Sequence, residues 1–269
     1  MTIRVSIDGQ LVDPQQARVS VLDRGFLYGD SVFETLRTYA GSPFALGEHL
    51  ERLEESARRV LIRLPVEQRA LSEEVRAAIA AAGNPESFAR VMVTRGVGEL
   101  GLDPGSARDP LRVIIVAPLV PPDPRQYAEG VPVITYRAQR IGEATGSEGA
   151  KVGNYLTAVL AMREARAAGA VEALILGSDG CILEGSTSNV FFVRGRTLVT
   201  PPLASGILAG ITRAHVLSIA AELGLETELA TVRKDDLEAL DECFISSSIR
   251  EILPVVRIDD CTIGSGAPG

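Results

Sequence analysis

Lysine is almost missing from this chain. Of its 27 basic residues only Lys151 and Lys234 are lysines, and arginine serves everywhere else. A retained lysine then marks a place for chemistry that a guanidinium cannot perform, because an amine can lose its proton and attack a carbonyl. Lys234, in the polar run "TVRKDD", reads as a solvated surface charge. Lys151 lies in "GSEGAKVGNYL", a small-residue loop that opens an apolar helix.

Histidine is equally scarce. His49 and His215 each fall in a helical pattern, away from any cysteine or acidic pair at ligand spacing, and both read as ordinary helix residues. A zinc site or a histidine-activated serine is thereby set aside, no metal is expected, and proton transfer must use another base. Cys181, Cys243 and Cys261 make an odd count without metal-ligand spacing, which suits reduced thiols in a cytosolic protein. A net charge of −8 argues against a nucleic-acid surface. No apolar run approaches a membrane span and "MTIRVSIDG" lacks a signal-peptide core, so a soluble, cytoplasmic protein is expected.

What is present is a core-forming mixture of strands and helices. Hydrophobic residues make up 46% of 269, enough for one large domain or two ordinary ones. The patterning predicts a hairpin in "TIRVSIDGQLV" around Asp8-Gly9, a strand "SVFETLRTY", helices over 48–64 and 67–82, and strands "FARVMVTR" and "LRVIIVA". The proline-rich "PLVPPDPRQY" continues neither strand nor helix and reads as an interdomain linker. Beyond it come the strand "VPVITYRA", a glycine-rich loop, helix 154–168, strands "EALIL", "CILEG" and "NVFFV", the loop "TPPLASGILAG", helix 211–223, and a final strand-helix-strand set. Without regular β-α alternation the class is α+β, in two domains: residues 1–117, a linker 118–128, and a larger domain 129–269.

"RGVGELG" carries a literal G-x-G-x-x-G at Gly96, Gly98 and Gly101. Dinucleotide binding needs a helix to start there, but "LDPGSARDP" follows, and its prolines and glycine make a poor helix. The motif is therefore rejected as a nucleotide loop.

Lys151 needs partners if it is to act as a nucleophile. "EGSTSN" places Glu184 beside hydroxyls and an amide, and "GILAGITR" puts Thr212 at the start of an apolar helix, whose free N–H groups favour a phosphate. Taken singly, these residues are also explained as a solvated turn acid, a hairpin bend and a helix cap. A lysine, a lone acid and a phosphate-ready helix start are together what pyridoxal phosphate requires.

In this order the pieces resemble the class IV, D-amino-acid-aminotransferase-like family of pyridoxal-phosphate enzymes, which contains branched-chain aminotransferases, D-amino acid aminotransferases and aminodeoxychorismate lyases. The resemblance runs from "DRGFLYGDSVFETLR" to "FISSSIREILPV" and is most specific in "EGSTSNVFFV…TPPL…GILAGITR". It implies two α/β-type domains with pyridoxal 5'-phosphate between them. It also implies that Lys151 is the Schiff-base lysine and general acid–base and that Glu184 is the partner of the pyridine nitrogen. Arg52, Ile211, Thr212 and Ser248 would hold the phosphate, Leu208 would pack on the ring, and Thr187 and Asn189 would support Glu184. Tyr155 resembles a tyrosine near the ring hydroxyl.

The resemblance further places Phe33, Thr35 and Arg37, which share one face of "VFETLR", on the substrate, with Tyr28 and Ile249 nearby. Arg37 is then either a carboxylate ligand or a solvated strand charge. The "RGVGELG" loop resembles one that reaches a neighbouring subunit's pocket, which implies a homodimer. The implied reaction moves an amino group between an amino acid, branched-chain or otherwise hydrophobic and of the L series, and a 2-keto acid. Thr35, and "SSSI" where branched-chain enzymes carry a different turn, keep aminodeoxychorismate lyase open. A D-specific enzyme remains open through other arginines such as Arg24 or Arg250.

Overall fold

The protein is described from a computed structural model covering residues 2–138 and 149–269; the expected glycine-rich loop lies largely outside the described residues. The chain divides into two compact units, Met1–Val120 with Ala150–Asn154, and Pro121–Gly149 with Tyr155–Gly269.

In the first unit β1 (Arg4–Ile7) and β2 (Gln10–Val12) form the hairpin expected around Asp8-Gly9. With β3 (Ser31–Tyr39), β4 (Ser42–Pro43), β5 (Ser87–Thr94) and β6 (Arg112–Pro118) they build an antiparallel sheet in the order β2-β1-β6-β5-β3-β4. A short helix, α1 (Arg24–Tyr28), precedes β3, while α2 (Leu46–Arg59) and α3 (Gln68–Ala82) contribute to the core. The alternation of β3 directs Val32 and Leu36 into a cluster with Leu50, Leu53, Val75 and Ile79, and Glu34 shares their face.

The first long helix differs from the 48–64 that its apolar spacing suggests. It starts two residues earlier and stops at Arg59, where Leu61 turns to a φ of 55° and is 83% exposed. Arg95 explains the stop, since it donates to the carbonyls of Val60 at 2.7 Å and Leu61 at 2.6 Å, satisfying acceptors that the helix leaves open.

The glycine motif has a structural reason. Past β5 the chain pairs Val97 with Arg108, and the helical piece that follows is a single turn of 3-10 helix at Pro104–Ser106. Gly96 has a φ of 95°, and a Cβ there would sit 2.0 Å from the Arg108 carbonyl oxygen. The glycine thus serves backbone-to-backbone packing, and among the described residues no helix starts there to point at a nucleotide.

The proline-rich stretch contains the division between units, and it is not wholly irregular. Asp123 caps α4 (Pro124–Glu129) by accepting from the Arg125 N–H at 2.9 Å, with proline in the first turn where no N–H is needed.

The second unit carries β7 (Val131–Arg137), β8 (Glu172–Leu176), β9 (Cys181–Gly185), β10 (Asn189–Arg194), β11 (Thr197–Thr200), β12 (Glu226–Leu229), β13 (Val232–Arg233), β14 (Glu242–Ser247) and β15 (Glu251–Ile258). These follow one another in the order β12-β11-β10-β14-β15-β7-β8-β9-β13, and β16 (Cys261–Thr262) pairs with β15. Parallel pairs (β15–β7, β7–β8, β11–β12) mix with antiparallel ones, as an α+β fold without strict alternation allows. The helices are α5 (Leu156–Ala167), a little shorter than the expected 154–168, and α6 (Ile211–Glu222). In the final set the helix is a 3-10 segment, Lys234–Ala239.

Lys234 is exposed, as its polar surroundings suggest, and it is also paired. It donates to Asp259 and, at 2.9 Å, to Thr135 Oγ1. Burial works against ionisation of Asp259, but hydrogen bonds from Lys234 and from the Thr135 hydroxyl and N–H outweigh it and hold the carboxyl below its usual range. Cys181 and Cys243 are buried free thiols, and burial pushes Cys243 up. Among the described residues no cluster could hold a metal, and no helix is long and apolar enough to cross a membrane.

Gly96→Ala should destabilise the protein by about 2 kcal/mol or more, through strain and the clash with Arg108. Chemical denaturation checks this, and an unchanged midpoint would refute the packing role.

Candidate active site

Lys151 is carried by the first unit, although its place in the sequence suggests the second. Residues 150–154 run alongside β3: the Phe33 N–H donates to the Lys151 carbonyl at 3.0 Å, and the Gly153 N–H to the Ser31 carbonyl at 2.8 Å. The Lys151 N–H donates to Ser56 Oγ on α2 at 3.1 Å. These backbone bonds fix the lysine irrespective of its side chain. Its Nζ lies 4.8 Å from the centroid of the Phe33 ring, and the Arg90 guanidinium lies 4.0 Å from the same ring.

Phe33, Thr35 and Arg37 share a face, as period-two geometry requires, and Arg90 lies directly opposite Thr35 across the β3–β5 ladder. Arg37 is 8% exposed with its guanidinium 4.3 Å from the Tyr39 ring, which excludes the solvated alternative. Tyr28 ends α1, and its hydroxyl accepts from the Gly101 N–H at 3.1 Å.

On the opposite face Glu34 is wholly buried. Arg52 donates to both its oxygens, Nε to Oε1 and Nη2 to Oε2, each at 2.7 Å, and His49 Nδ1 donates to Oε2 at 2.7 Å. His49, Arg52 and Ser56 follow one another along one stripe of α2, so a single helix face presents the histidine, the arginine and the hydroxyl that holds Lys151. Burial penalises the Glu34 carboxylate, yet the hydrogen bonds and charges of Arg52 and His49 prevail and keep it below its ordinary range. His49 is therefore more than an ordinary helix residue.

In the second unit Glu184 lies on β9 and accepts from the Leu208 N–H at 3.0 Å. Asn189 opens β10 and donates to the Leu208 carbonyl at 3.0 Å, so the backbone of Leu208 is held from both sides. Gly210 allows this approach, since a Cβ there would fall 1.9 Å from Asn189 Oδ1. Gly210 is also the N-cap of α6, and having no side chain it leaves the N-terminus that Ile211 and Thr212 begin without a cap of its own. Ser248 and Ile249 occupy the turn joining β14 to β15, and Tyr155 sits immediately before α5.

Thr187 is placed differently from Asn189. Its hydroxyl donates to Glu172 at 2.7 Å, while Arg250 Nη2 donates to it at 3.0 Å. Asn189 thus reaches Glu184 through Leu208, whereas Thr187 belongs to Glu172. The two arginines suggested for D-substrates are also engaged within the fold. Arg24 binds Asp30 at 2.9 Å and the carbonyls of Gly101, Leu102 and Asp103, and Arg250 binds Glu172 at 2.6 Å. Glu34, Arg90 and Glu172 are not singled out by any sequence motif, and His49 looks unremarkable there. A charged residue at a core-facing strand position, as in Val32-Glu34-Leu36, is the available signal for the first.

The residues present suit pyridoxal phosphate: an anchored amine at Lys151, a carboxylate at Glu184 oriented by a backbone N–H, and a helix start without a side-chain cap. The amino-transferase class IV family model matches residues 31–258. A putative branched-chain-amino-acid aminotransferase of Methanocaldococcus jannaschii is 37% identical over 267 residues, covering 99% of this chain and 92% of the relative. A D-alanine aminotransferase of Bacillus licheniformis is 34% identical, with 99% and 92% covered. Among solved structures, the T.th. branched-chain amino acid aminotransferase with pyridoxamine 5'-phosphate superposes with a TM-score of 0.93 at 32% identity, covering 100% of this chain and 90% of that one. The chain belongs to the class IV aminotransferase family, a family of pyridoxal-phosphate enzymes.

The buried carboxylate of Glu34 gives a pH signature. Its folded value is lowered, so its stabilisation is present above the unfolded value of 4.5 and lost as pH falls through the folded value. Glu34→Gln should cost roughly 1–3 kcal/mol at neutral pH, and the gap to wild type should narrow on acidification. Denaturation at several pH values checks this, and a constant gap would contradict it.

Proposed function

We propose that the chain transfers an amino group between an L-amino acid with a branched-chain or other hydrophobic side chain and a 2-keto acid, with Lys151 as the catalytic residue. The observation that carries this reading is the anchoring of Lys151 along β3, which sets its amine beside Phe33 on the face shared with Thr35 and Arg37. A lysine whose main chain is fixed keeps its Cα in place through a cycle in which its side chain must come and go.

The chemistry that bound pyridoxal phosphate supplies is carbonyl condensation with amines and storage of the electron pair released at the substrate α-carbon. Lys151 Nζ would hold it covalently and, as a free amine, would serve as the general base and general acid for the proton at the substrate α-carbon. Glu184, oriented by the Leu208 N–H, keeps a proton on the pyridine nitrogen. Arg52, the N–H groups of Ile211 and Thr212, and the Ser248 hydroxyl bind the phosphate. Leu208, held by Asn189, would pack on the ring, and Tyr155 would serve the ring hydroxyl. Because Glu34 holds two nitrogens of Arg52, the guanidinium plane is fixed before the phosphate arrives.

Phe33, Thr35 and Ile249 supply the substrate's apolar and small contacts, with Tyr28 at the edge. Arg37 would bind the substrate's carboxylate, with Arg90 opposite Thr35 on the neighbouring strand. A homodimer fits this reading, as Leu100 and Leu102 on the loop after Gly96 are 76% and 79% exposed. A cytoplasmic location follows from the same metabolic role. Thr35, which keeps the resemblance to aminodeoxychorismate lyase open, makes that activity the second reading. D-specific transfer loses ground, because Arg24 and Arg250 are held elsewhere in the fold.

The test is the visible spectrum of the purified protein with L-leucine and, separately, D-alanine. Loss of the lysine-linked band with L-leucine alone, with keto acid released, is expected. Loss with D-alanine alone would reverse the handedness, and a stable band with both would favour the lyase. Lys151→Ala should lose both band and turnover. Glu184→Gln should keep the cofactor while activity falls by about 10²-fold or more, and full activity in that variant would remove its role at the pyridine nitrogen.

A further inference from the structure

Glu172 opens β8, and its carboxyl is wholly buried. Burial opposes the charged form, but the Arg250 charge and hydrogen bonds from Ser186, Arg250 and Thr187 outweigh it, holding the group below the ordinary carboxylate range. Its Oε2 accepts from Arg250 Nη1 at 2.6 Å, from Thr187 Oγ1 at 2.7 Å and from Ser188 Oγ at 3.3 Å, while Ser186 Oγ donates to Oε1. Arg250 Nη2 closes the circuit by donating to Thr187 Oγ1 at 3.0 Å. Three consecutive hydroxyls from the β9–β10 turn and one guanidinium from the β14–β15 turn therefore converge on one carboxylate.

Strand pairing alone does not produce this convergence. β15 and β8 are not neighbours, because β7 runs between them, so Arg250 reaches past one strand to find its acid. The turn it leaves is sharply bent. Glu251 adopts a φ of 58°, and the Arg250 N–H donates back to Ser247 Oγ at 3.2 Å. A bend of that kind in a non-glycine residue persists when surrounding contacts over-determine it.

We infer that Arg250 is a positioning residue: by clasping Glu172 and Thr187 it sets the turn 248–250, and through that turn the place of the Ser248 hydroxyl at the cofactor phosphate. The inference rests on the proposed assignment of Ser248 to that phosphate. A direct role for Arg250 on a substrate carboxylate fits less well, since both of its terminal nitrogens already donate within the clasp.

The experiment titrates apo-protein with pyridoxal 5'-phosphate and, separately, with pyridoxal, which lacks the phosphate. Arg250→Ala should weaken pyridoxal 5'-phosphate about tenfold and leave pyridoxal unchanged within about twofold. Equal losses for the two compounds, or no loss for either, would overturn the inference. So would a raised KM for the amino acid with unchanged cofactor affinity, which would make Arg250 a substrate ligand. Arg250→Ala strips a buried carboxylate of its cation; if it does not fold, the paired variant Glu172→Gln/Arg250→Met, neutral and of similar volume, carries the same test with the same expected selectivity. Ser248→Ala separates the turn from the phosphate contact. It should also weaken only the phosphorylated compound, and if it leaves affinity intact, the phosphate assignment fails whatever Arg250 does.

Discussion

A carboxylate withdrawn from water must be given cations and hydrogen bonds, or it will not stay ionised. Each unit of this protein is arranged around one such group. Glu34 takes an arginine and a histidine from α2, and Glu172 takes an arginine and three hydroxyls from two turns. Neither set can be met by local chain geometry, so helix, strand and turn must each arrive in register for the charge to be compensated. That demand makes the placement of Arg52 and of the turn 248–250 nearly all-or-none, since a half-compensated buried charge costs more than none at all.

The lysine is secured by a different device. Its backbone is tied to the edge of β3 and to Ser56, so its place in the fold does not depend on what its side chain is doing. Glu184, proposed as the partner of the pyridine nitrogen, follows similar logic, because a backbone N–H aims its carboxylate while Asn189 holds the carbonyl of the same leucine. Main-chain groups cannot be mutated away, so the backbone of Lys151 and the carboxylate of Glu184 each keep one partner that sequence drift leaves in place.

Much of this is legible in the sequence. The alternation of "SVFETLRTY" and the spacing of residues 67–82 announce a strand and a helix, because period and burial agree there. Residues 60–64 mislead, since their leucines keep helical spacing while Arg95, distant in sequence, takes the terminal carbonyls. The Lys151 and Glu184 assignments come from motif and residue type. Thr187 cannot be allotted correctly from the string, because whether its hydroxyl serves Glu184 or Glu172 depends on a turn that only the folded sheet brings near. Lys234 is the exposed charge that its surroundings announce, but its partner Asp259, remote along the chain, is not legible for the same reason. Long-range polar pairing leaves no periodic trace, and that is where reading the string ends.

The ion pair of Lys234 has one more consequence. With arginine elsewhere and this second amine clasped by Asp259 and Thr135, the chain offers amine-directed reagents two side-chain targets of very different readiness. A hydride-trapped cofactor adduct would need no crowded peptide map. A protease that cuts after lysine finds two cleavage points in this sequence, and modification of Lys151 would silence one of them, so that the two fragments flanking that lysine would appear as one fused band.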